Sequence, residues 1–523
     1  MTPDTPTSHD PTYKWKVLGI VMIGTLMAAL DSSIVNVSLP RIMADFGASV
    51  DDIEWVITGY MLSFATFMPL TGWLRDRMGP KALYILALIV FTVASLLCGM
   101  SWNLGSLIGS RVIQAIGGGA ITPIGMSMIS DAFKPHERGK ALGYWGIGVI
   151  AGPALGPTLG GYLTNQVSWR SIFLINLPIG IFGILWAMKT LKHDRPTHSH
   201  HKTFDLAGFA FLTLFLVSFL LGTSKGEHEG WQSVYIVTCW ILSLVGIVGF
   251  LTVEPLVKHP IMDLSLFKNK EFTASMVVTA ARSVALYGGT FLLPLFLEQM
   301  MGFDEILSGM LQLPGALCIG IMMPLSAHFA DRFGVRSVTL AGLFLLALYL
   351  FIYRTLDTNT SIWGVIYPTL IRGFGIGLLV APIMATAMNA VPHNKAAAAS
   401  SMLNLVQQVS GSIGIAVVGA TLSLRSKFHL NIMASTLQDR TSPAVASAAR
   451  SLFFQAHELG YSHADSARVA SGLLTKNVVT NASVAGFEDA FLVGVTIVLV
   501  GIFSAFLMPT KAAPVSKEHM VME

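Results

Sequence analysis

Fourteen apolar runs, beginning near residues 17, 53, 82, 104, 140, 171, 205, 232, 272, 307, 338, 363, 397 and 488, decide what this chain can fold into. A run of roughly 20 apolar residues is long enough to cross the hydrocarbon core of a bilayer as a helix. In lipid every backbone N–H and C=O must be paired within the protein, so such runs form helices rather than open strands or loops. With 53% hydrophobic and only 12% charged residues, the chain has lipid as its main solvent. The expected fold is therefore an all-α integral membrane bundle. A formal charge of +4 is too small to suggest nucleic acid as a partner. Cys98, Cys239 and Cys318 lie in apolar runs and read as small packing residues, not as a disulfide framework or a metal site. Before Val17 the chain lacks the short apolar core and cleavage site of a removable signal, so the first span is expected to stay in the mature protein.

Orientation follows from where the cations fall. The short connections on the side of the amino terminus hold most of the lysines and arginines, among them Arg75, Arg77, Lys81, Lys134, Arg138, Lys140, Lys189, Lys192 and Lys202. Those opposite hold Arg41, Arg170, Lys225 and Arg354. That asymmetry predicts a multi-pass protein of the cell (inner) membrane with both termini cytoplasmic. The chain also repeats internally. GWLRDRMGPK after the second run returns as AHFADRFGVR after the tenth, matching Asp76 with Asp331 and Gly79 with Gly334, and Arg111 in the fourth run matches Arg372 in the twelfth. Residues 205–271 have no counterpart in either half. The expected organisation is a six-helix bundle over 1–204, two inserted helices and a loop over 205–271, and a second six-helix bundle over 272–523. Two parallel repeats of this kind place a binding site between the halves, near the midplane.

Asp31, deep in the first run, needs a reason. A carboxyl group held away from water prefers its neutral form, so an intramembrane acid can load and release a proton. The plainer alternative is a polar residue bonded to a neighbouring helix. Arg111 lies about seven residues into the fourth run, too deep to reach water comfortably, and needs an acceptor. Asp31 matches it in depth, and Gln114 sits one turn further along the same face. Arg282 and Arg372 are further intramembrane cations and Glu298 a second acid, so the expected buried charge leans positive. That balance argues against a dedicated dication site and fits lipophilic monocations, neutral compounds or weak acids. Asn36, Trp55, Tyr60, Tyr287, Gln407 and Gln408 are candidate pocket residues, although such side chains also serve in packing. His193, His198, His200 and His201 lie in a Pro- and Ser-containing stretch that reads as a solvated linker rather than a zinc site. The chain carries no phosphate-cradling loop, HExxH or nucleophile elbow, so neither enzymatic activity nor a cofactor is expected and the energy must come from an ion gradient.

GWLRDRMGPK resembles the loop motif of the major facilitator superfamily, and GPALGPTLGG, Gly152 to Gly161, resembles its antiporter motif. LDSSIVNVSLP from Leu30, WVITGYML from Trp55 and WRSIFLINLPIG from Trp169 further resemble the fourteen-helix drug:proton antiporters of the EmrB and QacA type. The resemblance covers nearly the whole chain. It implies a major facilitator fold of six, two inserted and six transmembrane helices, exporting lipophilic drugs or toxic compounds in exchange for protons. It also implies a conformational latch at Asp76, Arg77 and Lys81, with a second copy at Asp331 and Arg332, and an antiporter element at Gly152, Pro153, Gly156, Pro157, Gly160 and Gly161. The family usually has glycine where this chain has Ala115 and Ala327, and glutamine where it has Glu298. Independently of the family, Gly148, Gly152, Gly156 and Gly160 recur every four residues and form a smooth stripe that lets another backbone approach. A metabolite importer is the alternative, and a channel or sensor a more remote one. Residues 424–487 are expected to form a long outer loop with two amphipathic helices, one starting at Ser442 and Pro443 and ending at Gly460, the other starting at Ser462 and Asp465. Their apolar faces would fold back on the transporter or lie along the lipid surface, or else dock a partner, which by resemblance would be a periplasmic adaptor leading to an outer-membrane channel.

Overall fold

The computed structural model describes residues 11–192, 204–257, 260–392, 395–438 and 443–510. The histidine-bearing linker falls outside the described residues, as do the side chains of Pro153 and Pro157. Among the described residues, twelve helices are long and apolar enough to cross a membrane. Two more complete the fourteen spans. Span 2 is Trp55–Phe67 continued by Leu70–Met78, broken where Pro69 supplies no N–H to the ladder. Span 5, Pro135–Gln166, is a continuous helix whose many glycines lower its hydropathy. The others of the first half are span 1 (Pro11–Phe46), span 3 (Pro80–Gly99), span 4 (Leu104–Ala132) and span 6 (Ser171–Leu174 with Asn176–Thr190). Spans 7 and 8 are Leu206–Glu229 and Val234–Val253. Spans 9 to 14 are Lys270–Leu295, Glu305–Phe333, Val335–Tyr353, Ile362–Asn389, Ala396–Gln438 and His463–Ala505.

Span 1 packs on span 5 and span 3 on span 4; in the second half span 10 packs on span 12 and span 9 on span 13. The halves meet mainly through span 5 against spans 10 and 12, and span 4 against span 13. These contacts gather at the end that bears the chain termini. There Arg138 Nη1 donates to Asn389 Oδ1 at 2.7 Å, the Thr71 and Ser401 hydroxyls lie 2.7 Å apart, and Ser400 Oγ donates to Pro123 O at 2.8 Å. A Cβ on Gly143 would stand 2.7 Å from Met323 O, so the span 5 and span 10 backbones nearly touch. Ala327, where a glycine was expected, faces Gly139, so span 5 supplies the small residue at that crossing.

The inserted pair sits beside the junction of the halves. Span 7 reaches both: Lys225 forms an ion pair with Glu54 at the start of span 2, and Thr223 Oγ1 lies 2.9 Å from Ser412 Oγ of span 13. Span 8 packs on span 7, where Gly246 admits the Phe215 backbone, and its outer face presents Ile241, Leu244 and Val248. At the base of the pair two buried acids meet: Asp205 accepts from Gly208 N at 2.8 Å and Glu254 from Met262 N at 2.6 Å, with their other oxygens both facing Gly208.

The described residues of 424–487 are almost wholly helical rather than a loop. Spans 13 and 14 are 43 residues each, about 65 Å of helix against a hydrocarbon core of roughly 30 Å, so both project well beyond the membrane. The helix expected from Ser462 does start there, with Ser462 as N-cap, but it runs unbroken into the last span because no proline interrupts it. The other expected helix is present as Pro443–Glu458, and Gly460 at φ +90° makes the turn that follows it. Ser442 itself lies outside the described residues. This short helix packs on the projecting part of span 14. Arg425 and His429 of span 13 both bind Asp489 of span 14, at 2.6 and 2.8 Å, and clamp the two projections together.

Candidate functional site

Span 4 begins at a capping box between Asn103 and Ser106, which fixes its register. Arg111 follows two turns later, about 10 Å into the helix, and is 1% exposed. Asp31, in the middle of span 1, is fully buried. Arg111 Nη1 donates to Asp31 Oδ2 at 2.5 Å and to Gln114 Oε1 at 2.6 Å. Gln114 Nε2 donates to Asp31 Oδ1 at 2.8 Å and to Ser95 Oγ of span 3 at 2.7 Å. Asn176, at the start of the second piece of span 6, donates to the same carboxylate oxygen at 2.9 Å. The Tyr60 ring of span 2 lies 4.0 Å from the Arg111 guanidinium carbon, so one face of the cation is covered by an aromatic π-system. Five spans thus converge on this one site, and both members of the ion pair are buried.

The pairing of Asp31, Arg111 and Gln114 is as expected; Asn176 and Ser95 are additional. Both are polar residues within apolar runs, and Asn176 lies inside the WRSIFLINLPIG stretch. An isolated polar residue in a span was the available signal, but nothing in the sequence says which partner it faces.

The glycine stripe of span 5 lies directly against the turns of span 1 that carry Asp31. Gly152 abuts the backbone of Ala29 and Leu30, Gly156 the Ser33 side chain, and Gly160 the Ile34 backbone oxygen at 2.9 Å from where a Cβ would stand. Ser33 Oγ donates to Gly152 O at 3.0 Å. Gly161 is different, since its nearest neighbour, Val37, is 4.0 Å away.

At the loop between spans 2 and 3, Gly79 takes φ +80° to end one helix and start the next, and Gly334 takes φ +88° at the matching place between spans 10 and 11. Lys81 Nζ donates to the Met188 and Leu191 carbonyls at the end of span 6. Arg336, at the matching place after Gly334, donates to Met508 O after span 14 at 2.9 Å, so the two cations perform the same task. Arg77 lies over the Trp73 ring and Arg332 over Phe333. Asp76 is half-buried and Asp331 exposed. Arg75 pairs with Asp131 of span 4, an acid the sequence did not single out, and Ala330 occupies the equivalent of Arg75 in the second copy.

In the second half Arg282 of span 9 donates to Gln407 Oε1 of span 13 at 2.9 Å. Arg372 lies near Tyr349 and Tyr353 of span 11, and Tyr287 packs on Gly411. Glu298 was expected to be buried; it is half-buried instead, in the π-helical turn Phe296–Met300 that follows span 9. Asn36 and Trp55 are exposed, whereas Gln407 and Gln408 are half-buried. Tyr60, expected in the pocket, belongs to the Arg111 network.

Residues 21–415 match the Major Facilitator Superfamily. The chain is 33% identical over 428 residues to an MFS-type transporter of Bacillus subtilis, YhcA, covering 82% of this chain and 79% of that one. It is 29% identical over 489 residues to the multidrug export protein EmrB of Escherichia coli K12, covering 92% and 93%. Among solved structures it is similar to the human organic anion transporter MFSD10, at 14% identity, with a TM-score of 0.61 over 94% of this chain and 99% of that one. By its fold, its repeats and this match, the chain belongs to the Major Facilitator Superfamily.

Proposed function

We propose that this protein is a proton-coupled exporter of lipophilic drugs or toxic compounds across the cytoplasmic membrane, with both termini in the cytoplasm. The observation that carries the proposal is the buried Asp31 network pressed against the glycine stripe. Protonating Asp31 removes the charge that holds Arg111, Gln114 and Asn176. The turn that must then readjust is the one on which Gly152, Gly156 and Gly160 ride. One carboxylate thereby links proton loading to the packing of span 1 on span 5, and span 5 is the main contact with the other half. Closure at the terminal end, with cytoplasmic termini, corresponds to an outward-facing state in which the inner gate is shut. The similarity to a multidrug export protein over nearly the whole chain supports lipophilic drugs as cargo.

One proton crossing about 100 mV releases roughly 2.3 kcal/mol, and a pH difference of about half a unit adds roughly 0.7. Together these sustain a substrate gradient of about a hundredfold. The test is dye transport in everted vesicles. Wild type is expected to accumulate a lipophilic dye until a protonophore is added, and Asp31→Asn to lose that accumulation while still reaching the membrane. Protonophore-sensitive accumulation in Asp31→Asn would place coupling elsewhere. In the same assay Asp76→Asn, at the proposed latch by the inner rim, is expected to slow turnover at unchanged affinity, and Asp331→Asn to matter less.

The projecting helices support a further part of this reading, an adaptor protein leading to an outer-membrane channel. Phe454, Leu459 and Leu473 are exposed on them. Replacing residues 442–475 by a short flexible linker is expected to spare vesicle transport and abolish resistance in a double-membraned host. Loss of vesicle transport as well would show that these helices serve the transporter itself.

A further inference from the structure

The first half balances its buried cation and the second half does not. Arg111 has Asp31, but Arg282 and Arg372, each only 5% exposed, have no carboxylate partner among the described residues. Arg282 binds one neutral group, the Gln407 amide oxygen. Arg372 has Nε and Nη1 buried without a hydrogen-bond partner. Glu298 cannot serve Arg282 in any arrangement of this helix, because it lies 16 residues further along the same rod, about 24 Å away. Removing the partner of a buried charge is strongly destabilising, so an unpaired guanidinium deep in a bundle calls for a counter-ion from outside the chain.

Arg282 does not simply face packed side chains. It lines a small cavity between spans 9, 12 and 13, with Thr279 and Gln407 as further polar groups and Val380, Met384 and Leu403 as an apolar wall. At about 10 Å³ the cavity admits one small oxygen group, so its cationic end and two hydrogen-bonding neighbours are the complement of an anionic oxygen head, with the apolar wall where a lipophilic body would join it. Arg forms two parallel hydrogen bonds to a carboxylate, and one nitrogen of this guanidinium is already oriented by Gln407.

We propose that Arg282 is the recognition group for substrate, so that the compounds exported are lipophilic organic anions, the deprotonated forms of weak acids bearing a carboxylate or similar oxyanion. This rests on the exporter reading and narrows its cargo. It also carries an electrical consequence. A proton moving in and an anion moving out both carry positive charge inward, so a one-for-one cycle moves two charges and the membrane potential assists both. Exchange of a proton for a monocation would be electrically silent.

The experiment uses the full chain in vesicles of phosphatidylcholine, which offer no anionic lipid headgroup, with pyrenebutyrate, its uncharged methyl ester and the cationic dye rhodamine 6G as probes. Wild type is expected to bind pyrenebutyrate at least tenfold more tightly than the ester or the cation. Arg282→Gln is expected to bring acid and ester within twofold, and Arg282→Lys to keep part of the preference. With a potential imposed and no pH gradient, pyrenebutyrate export is expected to carry current. If wild type binds the ester or the cation as well as the acid, or if Arg282→Gln leaves the preference intact, the proposal falls; the wild-type comparison decides even if the variant does not fold. Pyrenebutyrate binding that appears only when an anionic lipid is left out of competition, and vanishes with added phosphatidylglycerol, would assign the site to a lipid headgroup and also overturn it. Binding is read without any gradient, so a failure of coupled export would count against the exporter reading alone.

Discussion

A buried ion pair is stable only as a pair, and Asp31 with Arg111 shows what that means for the proposed proton site. The carboxylate accepts from Arg111, Gln114 and Asn176 at once, so its charge is spread over three donors in a buried setting. Arg111→Leu leaves an uncompensated carboxylate in the bundle and is expected to cost about 3–5 kcal/mol, visible as a lowered melting temperature in detergent. Asp31→Asn with Arg111→Gln, which removes both charges and keeps hydrogen-bonding groups, is expected to regain most of that stability without regaining coupled transport. A single and double variant equally unstable would mean that the pair is not what holds the site together. The pairing of these two residues was legible in the sequence because an arginine at that depth must find an acid, and few acids lie within the spans. Asn176 and Ser95 were not, since an amide or hydroxyl in an apolar run is tolerated in many roles.

At the scale of helices, span 5 does two things at once: its stripe lets span 1 approach to backbone contact, and its terminal end holds spans 10 and 12 of the other half. The stripe was legible from its four-residue spacing; which helix it meets, and that it meets the turns beside Asp31, came only from the structure. Within the motif the glycines are not equivalent. Gly156→Val would drive a branched side chain into Ser33, an overpacking worth about 1–3 kcal/mol, and is expected to cut transport at least tenfold. Gly161→Ala meets open space out to 4.0 Å and is expected to stay within twofold of wild type. Equal losses in both would mean the motif acts through something other than this contact. Spans 13 and 14 mark where reading by hydropathy misleads. Polar residues such as Arg425, Lys427, His429 and Asn431 end an apolar run without ending a helix, because nothing in that stretch breaks the hydrogen-bond ladder.

For the molecule as a whole, the fourteen spans and the two repeats were legible because lipid imposes a length on every crossing and repeats leave matched motifs. The state of the gate was not, because sequence encodes both conformations of a transporter equally. The structure has the halves locked at the terminal end by Arg138 on Asn389, Thr71 on Ser401 and Gly143 on Met323, with span 7 joined to both halves near the opposite end. The exchange proposed above requires substrate and proton to compete for one transporter, so that binding of either weakens binding of the other. The most direct test is therefore to add substrate to the purified protein in weakly buffered solution and follow the pH. Wild type is expected to release about one proton per molecule, with apparent substrate affinity falling tenfold per pH unit once the site is protonated, and Asp31→Asn is expected to release none while binding substrate at a pH-independent affinity. Proton release of the same size from Asp31→Asn would contradict the account.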